Sequence, residues 1–132
     1  MSKDKKHIVI LEDNDNDLKK IDESLNTKYI THLFKRSTDL FLFLENSNAD
    51  ILVISSGLIN DYALSVMVNI RSCKPELPII LLISDTHSSY QIREHYNKFV
   101  EATIRKPIDP EELSCLVEKT IKNKSLYDID FS

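Results

Sequence analysis

The sequence predicts an α/β fold in which a parallel β-sheet carries helices on both faces. Three aliphatic runs, HIVIL (7–11), ILVI (51–54) and IILLI (79–83), are continuous rather than alternating. Strands read that way when both faces are buried. Between these runs, apolar residues recur at helical spacing. Strand and helix patterns alternate along the chain, an order that builds parallel sheets from βα units.

Each element has its own signal. After HIVIL, Leu18, Ile21 and Leu25 recur at i, i+3 and i+7 of a helix. YITHLF (29–34) is a strand of mixed pattern, which places it near a sheet edge. Leu40, Phe41 and Leu44 share one face of a short helix after Ser37, the expected N-cap. ILVI is the third strand, and Ala63, Met67 and Ile70 line the helix that follows. IILLI is the fourth strand. Ile92, Tyr96 and Phe99 mark a further helix, with Ser88 and Gln91 at capping-box spacing. ATI (102–104) is a weaker fifth strand, and Leu113, Leu116, Val117 and Ile121 form the last apolar stripe. Its start, DPEE, has Asp109 as N-cap, Pro110 at the first helical position and Glu112 three beyond the cap. Such sheets place their functional crevice at the carboxyl ends of the strands, beside a topological switch point.

Composition narrows the function classes. The 132 residues suit one domain, 42% hydrophobic content supports a real core, and 29% charged residues are ordinary for a soluble protein. A net charge of -4 argues against nucleic-acid binding, which needs a basic patch. No apolar run approaches the roughly 20 residues that span a bilayer. The N-terminus lacks a signal peptide's small-residue cleavage site, so a cytoplasmic, reduced setting is expected. Cys73 and Cys115 have no metal spacing and are expected as buried or half-buried small hydrophobes. His7, His32, His87 and His95 show no ligand spacing and are expected at the surface or at strand edges. Gly57 is the only glycine, which excludes glycine-rich phosphate cradles. We place the domain at 1–123 and a tail or linker at 124–132. Leu126, Tyr127, Ile129 and Phe131 in that tail leave three readings: fraying, docking on the domain or a partner, or the start of a linker to an output domain.

The stretch EDNDND (12–17) puts four carboxylates into six residues. A calcium loop counted from Asp13 would need Gly at its sixth position and Glu at its twelfth. Those positions are Leu18 and Ser24, so the sharp turn and the bidentate ligand are both missing. Asp15 and Asp17 favour the N-terminus of the following helix. Glu12 and Asp13 instead sit at the carboxyl end of a buried strand, where side chains point into the crevice.

On these residues the chain resembles the response-regulator receiver domains of two-component signalling. HIVILEDNDND is similar to their first strand and acidic turn, DILVI to their third strand, and PIILLIS to their fourth. IRKPIDPEEL is similar to their fifth strand, Lys-Pro turn and final helix. The resemblance covers roughly residues 6–122. It implies a three-layer, flavodoxin-like, doubly wound (βα)5 fold with strand order 2-1-3-4-5. It also implies phosphoryl transfer from a phosphohistidine to an aspartate ending strand three, beside Mg²⁺ held by an acidic pair. A Thr or Ser after strand four and a Lys after strand five would then bind the phosphate.

The sequence departs from that pattern at the chemistry. Counting D-x-x-x-x-D from Asp50, the phosphoacceptor position is Ser55. An Asp is ionised at neutral pH, with a pKa of about 3.9, and attacks phosphorus without a base. A serine hydroxyl needs a neighbouring base, and Lys106, the group expected nearest, is a cation. Ser55 is also one heavy atom shorter, and in-line transfer depends on positioning. Ser56 lies on the opposite face of the strand. A third carboxylate about 4 Å from Glu12 and Asp13 would repel each by about 1 kcal/mol in water-like surroundings, and Ser55 removes that repulsion. The switch-hydroxyl position falls on Ile83, with Ser84 one residue later, and the aromatic rotamer switch is Thr103. The usual proline and glycine after the phosphoacceptor are Ile59 and Ala63, and the usual glycine before strand five is Phe99.

Two readings of Glu12, Asp13 and Lys106 remain open: weak Mg²⁺ binding by the acidic pair, or a direct salt bridge from either carboxylate to Lys106 that closes the pocket. Pro107 keeps Lys106 out of helical geometry, and the resemblance makes Lys106–Pro107 a candidate cis bond. No other cofactor is expected. The chain is expected to be a phosphorylation-independent protein-interaction module in phosphorelay signalling, not an enzyme. Its partner surface by resemblance is residues 88–122, and a second copy of the chain is a further candidate partner. Neither nucleic acid nor membrane is an expected partner. The alternative is a receiver still switched by phosphorylation at Ser55 or by Mg²⁺ at Glu12 and Asp13. A cofactor binder of flavodoxin type would want a glycine- or hydroxyl-rich loop after strand one, and EDNDND would repel a phosphate.

Overall fold

The computed structural model describes residues 5–55, 63–83 and 100–130, with side chains at 5–55, 65–83 and 100–123. Its strands are β1 (His7–Leu11), β2 (Ile30–Phe34), β3 (Ile51–Ser55), β4 (Ile79–Ile83) and β5 (Ala102–Arg105). Its helices are α1 (Asp15–Leu25), α2 (Ser37–Asn46), α3 (Ala63–Cys73) and α4 (Pro110–Asp130). The expected helix around 88–99, its capping box, Gly57, Ile59, Ser84, His87 and His95 lie outside the described residues.

All strand pairs are parallel, in the order β2-β1-β3-β4-β5. This is the predicted doubly wound, flavodoxin-like sheet. The chain leaves β1 for β2 on one side and continues from β3 on the other, so the switch point falls between β1 and β3.

The continuous aliphatic runs have the cause read from the sequence. Successive side chains of a strand point to opposite faces, and here both faces are covered. Val9, Leu11, Leu52, Ile54, Ile79 and Leu81 pack with Leu40, Leu44, Met67 and Ile70 under α2 and α3. Ile8, Ile10, Ile51, Val53, Ile80 and Leu82 pack with Leu18, Ile21, Leu25, Leu113 and Val117 under α1 and α4. Each such side chain contributes about 1.5–3 kcal/mol by leaving water, so the alternation sorts one run into two cores. β3 and β4 are buried throughout, whereas β2 and β5 are only partly buried, as edge strands are.

Several local expectations are corrected. Ser37 is the first helical residue of α2; Arg36 occupies the N-cap position, with no capping hydrogen bond from its side chain. The last helix continues through 124–130, residues we expected beyond its end. That stretch holds neither Pro nor Gly, so nothing in it stops a helix. Cys73 and Cys115 are exposed, because each points off the apolar stripe of its helix. His7 and His32 do lie toward the sheet edge, but they meet each other. Asp109 caps α4 as expected, its carboxylate accepting from Glu111 N at 3.0 Å.

At the amino ends of β4 and β5, Arg71 of α3 donates to the Leu77 carbonyl at 2.6 Å and to Glu101 at 3.0 Å. Glu101 also accepts from Ile79 N at 2.6 Å. Glu101→Ala strips that backbone N–H of its acceptor and takes one acceptor from the guanidinium. We expect a loss of about 1–3 kcal/mol in urea unfolding, with an unchanged denaturant slope.

Candidate functional site

Three strand ends converge at the carboxyl edge of the sheet. Glu12 follows β1 directly and anchors there through its N–H to the Phe34 carbonyl at 3.0 Å. Ser55 closes β3 and stands in register with Leu82 of β4. Lys106 follows β5 and donates its N–H to the Ile83 carbonyl at 2.8 Å. The Lys106–Pro107 peptide is cis.

Glu12 is only 1% exposed. A carboxylate in that position needs hydrogen bonds and an opposite charge, and it has both. Its Oε1 accepts from Asn14 N at 3.1 Å, and its Oε2 accepts from Lys106 Nζ at 2.7 Å. The same ammonium donates to Asp17 Oδ2 at 2.9 Å. Asp17 is brought there by the start of α1: Asn14 is the N-cap, and its Oδ1 accepts from Asp17 N at 2.9 Å. Glu12, Asn14, Asp17 and Lys106 thus form one connected set.

Of the two salt bridges weighed from the sequence, the structure forms the one to Glu12. Asp13 is exposed, and its carboxylate has no hydrogen bond or ion pair among the described residues. Asp17 was missed. Its place in the first turn of a helix explained it too readily, yet the third residue after an N-cap also overlooks the preceding strand end. Asp15 pairs with Lys35 at the surface.

The electrostatics of Lys106 reflect its cage. Burial on its own pushes the ammonium's pKa down. The hydrogen bonds and charges of Glu12 and Asp17 outweigh it, so the net shift is upward. A raised lysine pKa contributes stability that is complete below the ordinary value of about 10.4 and is lost as pH rises through the folded value. The bridge is therefore intact across neutral pH.

Ser55 is fully buried, and its hydroxyl has no hydrogen-bond partner among the described residues. No base among the described residues contacts it. Ile83 is buried in the core under α2 and α3 and offers no hydroxyl, and Ser84 lies outside the described residues. Thr103 is half-buried on β5.

The described residues do not fit a bound Mg²⁺ in this arrangement. That ion wants six oxygens in near-octahedral geometry at about 2.0–2.1 Å. Both oxygens of Glu12 are engaged, and the place beside Oε2 belongs to an ammonium. Asp13 is left as the one open carboxylate of the acidic pair. Among the described residues no group of three or more His, Cys, Asp or Glu side chains could hold a metal.

Removing the cation alone isolates Glu12 in a dry site. Lys106→Met is expected to cost about 3 kcal/mol in urea unfolding, and adding Glu12→Gln should recover more than half of that loss. Ser55→Ala removes a buried hydroxyl without a partner and should raise stability by about 1 kcal/mol in the same measurement.

No protein-family model matches the sequence, and no curated protein matches it either. Solved structures do resemble the fold. A receiver-domain protein from Methanospirillum hungatei matches with a TM-score of 0.83 at 16% identity, over 93% of this chain and 98% of that one. A receiver-domain protein from Clostridium thermocellum matches with a TM-score of 0.80 at 21% identity, over 92% and 98%. The signal receiver domain of an HD-domain-containing protein from Pseudomonas fluorescens matches with a TM-score of 0.83 at 14% identity, over 97% and 95%. At such identities the likeness carries the architecture alone: this chain has the fold of response-regulator receiver domains.

Proposed function

We propose that this chain is a receiver-like module of two-component signalling that works by binding protein partners, independently of phosphorylation, and is not an enzyme. The observation that carries this reading is Ser55. Where receiver domains resembling this sequence place an ionised aspartate, this chain holds a buried alcohol with no base in contact among the described residues. A neutral hydroxyl without a base is a poor nucleophile toward phosphorus. Lys106 supports the reading, because its ammonium is engaged by Glu12 and Asp17.

The resemblance assigns the partner surface to residues 88–122, of which β5 and the first half of α4 are described. Partners, including a second copy of the chain, select the conformation that binds them. A cytoplasmic setting belongs to this reading. Among the described residues no helix is long and apolar enough to cross a membrane.

Incubation with acetyl phosphate and Mg²⁺, followed by intact mass, tests the proposal. We expect no added phosphate. A hydroxylamine-labile adduct would overturn the reading. A hydroxylamine-stable adduct that disappears in Ser55→Ala would establish the alternative, a receiver switched at Ser55.

A further inference from the structure

At the opposite end of β1 from Glu12, two histidines share a contact that the signalling reading does not use. His7 opens β1 and His32 lies in the middle of β2. His7 Nδ1 and His32 Nε2 are 2.9 Å apart, and the rings are nearly parallel, at 12° with centroids 5.2 Å apart. The His32 ring also packs on Phe43 of α2 at 4.5 Å, and Phe34 of β2 meets the same Phe43 at 5.4 Å. Both histidines are half-buried.

An imidazole nitrogen either donates or accepts. A contact of 2.9 Å between two of them needs one N–H and one lone pair. The neutral pair satisfies this. One added proton keeps it, since the second ring still offers a lone pair. Two added protons set N–H against N–H and place like charges in contact. We propose that the His7–His32 pair is an acid-sensitive latch, which fastens edge strand β2 to β1 and α2 and opens when both rings are protonated.

The described surroundings leave the second proton uncompensated. On the His7 side, the Asp50 carboxylate preceding β3 accepts the His7 backbone N–H at 2.7 Å. Ahead of β1, Lys5 turns to the Thr27 carbonyl, and Lys6 is exposed. On β2, Thr31 donates to Asp22 of α1, on the other face of the strand. On α2, the residue against His32 is the apolar Phe43, while Arg36, Asp39 and Glu45 are exposed. Among the described residues, no carboxylate contacts the His32 ring.

Burial first, and then the charge of His7, holds the His32 pKa below the ordinary value of 6.5. As pH falls, the unfolded chain therefore takes up that proton before the folded one does. The latch's contribution is complete above about pH 6.5 and is lost progressively as pH falls from there through the lowered His32 value.

Amide hydrogen exchange of the full chain, corrected for the intrinsic pH effect, tests this between about pH 7.5 and 5.5. We expect opening of β2 amides to rise about tenfold on acidification, while β4 amides stay protected. In His32→Phe, which keeps a ring on Phe43 but holds no proton, β2 exchange should be flat. A flat wild-type response, or the same rise in His32→Phe, would overturn the proposal. So would an equal rise at β4, which marks global unfolding. A second measurement needs no variant: imidazole ¹⁵N spectra of the wild type should show the His32 ring taking up its proton below the ordinary value of 6.5. Two rings titrating independently near 6.5 would sink the latch.

Discussion

The buried carboxylate of Glu12 is the constraint on which the crevice depends. An ionised carboxylate with almost no access to water costs several kcal/mol unless an opposite charge and hydrogen bonds compensate it. Here the compensation comes from Lys106, 94 residues away in sequence. The two meet only if the sheet brings the ends of β1 and β5 to the same edge. The interaction is therefore both a consequence of the topology and a lock on it. Breaking the order of the strands would strand a charge in an apolar interior.

That constraint also accounts for the neighbours. The ammonium sits between Glu12 and Asp17, which it reaches at 2.7 and 2.9 Å. The Ser55 hydroxyl carries a cost of its own, about 1–3 kcal/mol for a buried polar atom without a partner. The fold tolerates it because two packed apolar faces supply far more.

β1 carries polar structure at both ends of an otherwise apolar strand. At its carboxyl end stands the Glu12–Lys106–Asp17 set, and at its amino end the His7–His32 contact. The first joins the ends of β1 and β5 to the start of α1, and the second joins β1 to its edge neighbour β2. The aliphatic residues between them supply the bulk of the stability.

The local periodicity of the chain determined the sheet and its layers. HIVIL, ILVI and IILLI are short-range patterns, and a strand buried on both faces has no other way to be written. The identity of residue 55 was equally plain, because a serine is read directly from the chain. Only the tertiary structure decided which carboxylate takes Lys106, that Asp13 faces outward, that Asp17 reaches back into the crevice, and that His7 and His32 meet. The exposure of Cys73 and Cys115 was settled there as well. The physical reason is range. Burial patterns follow from the residues next in sequence, whereas ion pairs and shared protons depend on atoms from distant segments arriving within about 3 Å of one another, and no spacing rule carries that information.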